Sequence, residues 1–282
     1  MGPRPRIKTA TDLSLADLRA GMLAAFADYA VPMQPSAAAF AFMMRQRGLD
    51  PDASRVALVG DAVAAIWLVA LRGDASYLIA SGTRPEDRGK GLARRLAFEA
   101  GAALRVRGAR QLRTEVLEGN EVAIRLYRSL GLTVARHLDC YDIAVGDTDA
   151  EPGVASVSWA VAEPALSAFR DWSPTWQNDD ASLRAVAEEV RAFAVRESGD
   201  VVAAAAVVPR TGALAQIAVR QDRRRRGLGT RLLRAAAGVA PESKLRLVNA
   251  QADDHGLASF LQTNWARRTT GQYELVGPLA PS

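Results

Sequence analysis

Apolar positions along the chain fall into runs of two kinds, continuous and periodic. The longest continuous run, Ala62–Leu71 (AVAAIWLVAL), is too short to cross a bilayer as a helix and predicts a buried strand. Ser76–Ala80 predicts its hairpin partner, since Arg72, Gly73 and Asp74 between them are turn residues. Leu92, Leu96, Ala100 and Ala103 then recur at helical spacing. A short strand over Leu112–Leu117 and a helix over Glu121–Leu130 follow, the helix stopping at Gly131. Upstream, Leu13–Ala30 predicts an amphipathic helix started by Asp12 or Ser14, and Ser36–Arg47 a second one ended by Gly48.

The series then repeats. Val201–Val208 and Ala213–Val219 form a strand pair around Pro209, Arg210, Thr211 and Gly212. Leu228, Leu232, Ala235 and Val239 line a helix. A strand over Leu245–Ala250 and a helix over Asp254–Thr263 complete the set, the helix stopping at Asn264. Gly and Asn are the residues that best tolerate the left-handed end of a helix. The acidic, Gly- and Pro-containing stretch 146–153 reads as a linker. Two domains of one fold are expected, 1–148 and 149–282, with Asp171–Asn178 as a loop of the second.

Composition narrows the class. The chain is 49% hydrophobic and 24% charged, as globular proteins are. Cys140 is its one cysteine, so neither an intramolecular disulfide nor a paired-thiolate metal site can form, and His137 and His255 add too few ligands for a metal site to be expected. Residues 1–13 carry no apolar core of a secretory leader, which makes the cytoplasm the expected compartment. The net charge of +5 concentrates at Arg223–Arg226, which runs into Gly227-Leu228-Gly229 at a helix start. That context favours a local anion site over a nucleic-acid or membrane-binding face, and no aromatic stacking pattern accompanies it. Nothing in the pattern fixes an oligomeric state.

The loops before the repeated helices share a template: Arg, two residues, Gly, one residue, then Gly or Ala. It is met by Arg88-Gly89-Lys90-Gly91-Leu92-Ala93 and by Arg224-Arg225-Arg226-Gly227-Leu228-Gly229. Glycines allow a sharp turn with exposed amides, and the first helical turn adds unpaired N–H groups and the positive dipole end. Arg88 and Lys90, or Arg224 and Arg226, add mobile cations. Such a corner suits a pyrophosphate. It lacks the third glycine of a dinucleotide fingerprint and the Gly-Lys-Ser/Thr of a P-loop. The alternative is a basic helix start without a ligand, which the duplication disfavours.

With Asn120-x-x-Ala123-x-x-Leu126-Tyr127-x-x-x-Gly131-Leu132 downstream, the first loop resembles the GNAT superfamily of acyl-CoA N-acyltransferases, strongly in the first half and partially in the second. The resemblance implies an α/β (α+β) tandem duplication, each copy a mixed, mostly antiparallel sheet flanked by helices. It implies acetyl-CoA as acyl donor, with Gly82 and Thr83 along the pantetheine and Arg88, Gly89, Lys90, Gly91, Leu92, Ala93 and Arg94 at the phosphates. In the second copy Val219, Arg224, Arg225, Arg226, Gly227 and Gly229 occupy those places. Tyr127 is then the candidate general acid, or else a core tyrosine. Glu115 is the candidate base, or else a solvated strand residue, with Glu118 as fallback. Asn120 either reaches the cofactor through a water or caps its helix. Counting along the repeat sets Phe260 opposite Tyr127, Val248 opposite Glu115 and Asp253 opposite Asn120. The expectation is therefore catalysis in the first copy and an auxiliary second one. The segment 29–35 is expected either to wall the acceptor site or to be a plain turn. The expected activity is transfer of acetyl to a primary amine of a small molecule or peptide, without metal. The alternative is a non-catalytic acyl-CoA sensor or scaffold.

Overall fold

A computed structural model describes residues 4–29, 33–146 and 151–279. It separates into two compact units. Unit 1 is Met1–Ala135 with Glu274–Ser282, and unit 2 is Arg136–Tyr273. The division thus falls inside a strand upstream of the expected linker, of which residues 147–150 lie outside the described set.

Unit 1 runs β1 (Arg6–Thr9), α1 (Leu15–Ala25), α2 (Ala37–Arg47), β2 (Arg55–Val59), β3 (Ala62–Arg72), β4 (Ala75–Thr83), α3 (Leu92–Val106), β5 (Gln111–Leu117) and α4 (Glu121–Ser129), and takes in the first residues of β6 (Thr133–Ala144). Strands β1 to β4 are antiparallel neighbours, and β5 joins β4 in parallel. The end of the chain completes this sheet, with β12 (Arg267–Pro278) next to β5. Helix α1 starts at a reciprocal cap between Ser14 and Asp17. Helix α2 starts at Ser36 and ends at Gly48, whose φ of 73° suits glycine. The core gathers Leu18, Met22, Phe40, Ile66, Trp67 and Leu96, all at most 2% exposed.

Unit 2 repeats the plan. The remainder of β6 is followed by β7 (Val154–Val157), α5 (Trp159–Phe169), α6 (Asp180–Arg184), β8 (Arg191–Glu197), β9 (Asp200–Val208), β10 (Ala213–Val219), α7 (Leu228–Ala237), β11 (Lys244–Gln251) and α8 (His255–Thr263). Strands β7 to β10 are antiparallel neighbours, β10 and β11 are parallel, and β6 lies antiparallel on β11. Helix α7 buries Leu228, Leu232, Leu233, Ala236 and Ala237, a stripe shifted from the expected Ala235 and Val239, because the helix stops before Val239. The left-handed place after α8 is taken by Trp265 (φ 56°), one residue past Asn264, whose own φ is −100°.

No helix among the described residues is long and apolar enough to cross a membrane.

Candidate active site

Each unit opens its sheet at one point. In unit 1 the parallel pairing of β4 and β5 ends at Tyr77 opposite Arg113, although both strands run on. In unit 2 the pairing of β10 and β11 is a single register pair, Ala213 opposite Arg246. A bulge follows in each leading strand, at 78–80 and at 214–216. These splays lie beside the repeated loops.

The loops match in backbone conformation and in the contacts of their first arginine. After a short 3-10 turn, Pro85–Asp87 or Gln221–Arg223, the chain turns through two left-handed residues into α3 or α7. In unit 1 these are Gly89 (φ 74°) and Gly91 (φ 73°). In unit 2 they are Arg225 (φ 61°) and Gly227 (φ 77°). An L-residue such as Arg225 holds that conformation at a cost of roughly 1–2 kcal/mol. The first arginine of each template is a latch. Arg88 donates to Thr83 O, Ala25 O and the carboxylate of Asp28, the last at 2.6 Å and 2.7 Å. Arg224 donates to Val219 O, Phe169 O and Asp171 in the same order. The guanidiniums thus fasten the loop to the end of α1 or α5. Neither Asp28, inside the helix expected over Leu13–Ala30, nor Asp171, inside an expected loop, is singled out by the sequence as a partner of these arginines. The hydrogen bond from Arg88 holds the Asp28 carboxyl below its usual range. Asp87, 2% exposed, takes Lys90 at 2.8 Å and Arg84 as well, and the Lys90 bond leads in holding its pKa below the usual carboxylate range. Lys90, Arg94 and Arg226 lie exposed at the loop and the first helical turn. Gly82 passes so close to α1 that a Cβ would sit 2.8 Å from Ala25 Cβ, and Leu92 anchors the helix start in the core.

Tyr127 projects from α4 into unit 1. Its Oη lies 2.9 Å from Ser81 Oγ on β4, and its ring meets Trp67 edge-on at 6.3 Å. Burial is the main cause that pushes its phenol up to about 12. It therefore carries its proton at any neutral pH. Glu115, on the opposite face of β5 from Thr114 and Val116, accepts a short hydrogen bond from the buried Tyr77 phenol. The two candidates are thus held separately, one by Ser81 and the other by Tyr77. Asn120 Oδ1 caps α4 through Ala123 N, and its Nδ2 donates to Tyr29 Oη at 3.2 Å. Tyr29 bounds the segment 29–35, of which residues 30–32 lie outside the described set.

Unit 2 holds a groove of about 570 Å³ between β10, α5, α7 and α8. Arg223, Arg224 and Arg225 stand at its loop end, and Trp172, Ile217 and Phe260 along its length. Gly229 lets the Phe260 ring lean on the first turn of α7, where a Cβ would come within 2.8 Å of Phe260 Cε2.

The family model for the Acetyltransferase (GNAT) family matches residues 23–132 and again 158–262. The chain belongs to this family. A GCN5-related N-acetyltransferase from Sphaerobacter thermophilus aligns over 99% of this chain and 96% of its own, with a TM-score of 0.70 and 17% identity. A tandem GNAT protein from the clavulanic acid biosynthesis pathway aligns over 99% and 100%, with a TM-score of 0.69 and 15% identity. At such identities the likeness is one of fold. Mycothiol acetyltransferase of Thermobispora bispora is 50% identical over 52 residues, a match spanning 18% of this chain and 18% of that protein.

Comparison of the two GNAT copies corrects the expected correspondence. Asp254 caps α8 through Leu257 N as Asn120 caps α4 through Ala123 N. Ala266 N bonds Leu261 O as Leu132 N bonds Tyr127 O. The partner of Tyr127 is therefore Leu261, and that of Asn120 is Asp254, each one residue beyond the expected Phe260 and Asp253. The extra residue is absorbed in β11, where the register breaks between Leu247 and Ala250 and Asn249 takes a φ of 64°. Leucine is no better a proton donor than phenylalanine. From the pair Tyr77–Arg113 and its counterpart Ala213–Arg246 the count holds into the start of that break, and Val248 is the partner of Glu115.

Proposed function

We propose that the chain is an N-acetyltransferase that moves acetyl from acetyl-CoA to a primary amine of a small molecule or peptide, with the chemistry in unit 1. Acetyl-CoA supplies a thioester carbonyl and a thiolate leaving group. The amides around Gly89, Gly91 and Ala93 suit its phosphates, and the unpaired edge of β4 from Ser81 to Thr83 suits its pantetheine amides. The observation that carries the reading is the buried phenol of Tyr127 on Ser81 beside the splay, with a carboxylate, Glu115, on the neighbouring strand.

Glu115 takes the proton that an ammonium must lose before it has a lone pair. Tyr127 donates a hydrogen bond to the sulfur as it gains charge. With the phenol at about 12 and a thiol at about 8.5, full transfer runs uphill, so the donor acts by stabilising charge. Unit 2 offers a matching loop and groove but Leu261 and Val248 in these places, which supports an auxiliary site for a CoA species. The mycothiol acetyltransferase match supports acetyl as the group moved. The test is thiol release from acetyl-CoA over a panel of amines. Release that Tyr127→Phe lowers, with acetyl-CoA affinity kept, supports the reading. Tight binding without release for any amine supports a non-catalytic acyl-CoA sensor, the reading that unit 2 taken alone would favour. A nucleic-acid role for Arg223–Arg226 is disfavoured by the ion pairs of Arg223 with Glu197 and of Arg224 with Asp171.

A further inference from the structure

Tyr77 stands at the last register pair before the splay, and Glu115 lies two residues beyond Tyr77's partner Arg113. Their hydrogen bond therefore spans the two strands at the point where they part. Tyr77 is 3% exposed, and burial, followed by the charge of Glu115, pushes its ionisation far above the usual range. The O–H is thus present throughout any accessible pH. A carboxylate side chain at a strand opening has several rotamers, and one fixed donor selects among them. A carboxylate that accepts an O–H is also favoured in its charged form. Three further charges bear on this corner: Arg47 from α2, Glu274 from β12, and Arg113 on the same face of β5. In unit 2 the corresponding pair is Ala213 and Val248. The phenol–carboxylate pair is confined to the unit that bears Tyr127.

We propose that Tyr77 is a positioning residue for the acetyl transfer: its O–H fixes the Glu115 carboxylate at the opening of the splay, where the acceptor amine gives up its proton. This rests on the reading of Glu115 as base, and the test separates the two. The full chain is labelled with ¹³C at glutamate carboxyls, and Glu115→Gln identifies the resonance. In Tyr77→Phe the Glu115 titration midpoint is expected to rise by about one pH unit, the loss of one hydrogen bond to a charged group. The acidic limb of kcat/KM is expected to move with it, while KM for acetyl-CoA stays within twofold. Tyr77→Met, apolar, flexible and without the O–H, gives a second reading of the same shift, and melting curves confirm that both variants fold. An unmoved midpoint overturns the proposal. If Glu115→Gln retains the wild-type acidic limb, the base reading falls, and Tyr77's part in the reaction falls with it even where the midpoint moves.

Discussion

In unit 1 the strands part at Tyr77 and Arg113; in unit 2 they part at Ala213 and Arg246. The backbone event is the same, and what fills the gap differs. Unit 1 places a phenol and a carboxylate across it. Unit 2 closes it with amides: Asn178 Nδ2 donates to Val248 O on β11 at 2.8 Å, and Gln216 Nε2 on β10 donates to Asn178 O at 2.8 Å and to Asp180 at 2.9 Å. Asn178 and Gln216 are 8% and 7% exposed, so these bonds seal a buried seam. The lesson is that the loop and the splay repeat between the copies as architecture, while Tyr77, Glu115 and Tyr127 of unit 1 give way to Ala213, Val248 and Leu261 in unit 2. The latch makes the same point from the other side. Arg88–Asp28 and Arg224–Asp171 repeat faithfully because they hold the loop in place.

The comparison can be broken most severely at the chemistry. Glu115→Gln and Tyr127→Phe are each expected to lower kcat by at least roughly 10²-fold, with acetyl-CoA affinity within a few-fold, measured by thiol release and calorimetry. Leu261→Ala in unit 2 is expected to leave kcat unchanged while lowering the melting temperature, since a buried leucine truncation costs about 2–5 kcal/mol. A kcat loss there to match Tyr127→Phe would remove the asymmetry.

The acid response of unit 1's loop should come next in size. The folded-state pKa of Asp87 lies below its unfolded value of about 3.9. Its contribution to stability is therefore full above that value and is lost as pH falls through the folded one. Asp87→Asn is expected to flatten the fall of melting temperature below about pH 4. The smallest effect is expected for Arg225→Gly. Relief of a left-handed arginine is offset by the chain entropy of glycine, for a net change within about 1 kcal/mol. The same change should weaken acetyl-CoA binding by unit 2, because Arg225 lines its groove.

Much of this was legible in the sequence because it is periodic or punctuated. The strand over 62–71, the Ser36 and Gly48 ends of α2 and the two Arg-x-x-Gly corners follow from local residue chemistry. What was hidden is non-local. Tyr77 and Glu115 are 38 residues apart and meet only through a parallel register. Asn178 reaches Val248 across 70 residues. The one-residue shift that places Leu261 opposite Tyr127 comes from a bulge at Asn249, a residue type that tolerates the left-handed region but does not announce it. The expected reach of the first helix to residue 30 failed because the chain leaves helical geometry at Phe26, which frees Asp28 for Arg88.

The proposed division of labour between the copies is tested most directly by disabling one glycine-containing loop at a time. Gly91→Val and Gly227→Val each force a β-branched residue into a left-handed turn (φ 73° and 77°) at the start of α3 or α7. Acetyl-CoA binding stoichiometry and amine-dependent thiol release are then measured on both. Gly91→Val is expected to abolish release and leave unit 2 able to bind, while Gly227→Val is expected to cost a binding equivalent and keep release within a few-fold of wild type. Release that survives Gly91→Val and is lost in Gly227→Val would contradict that division.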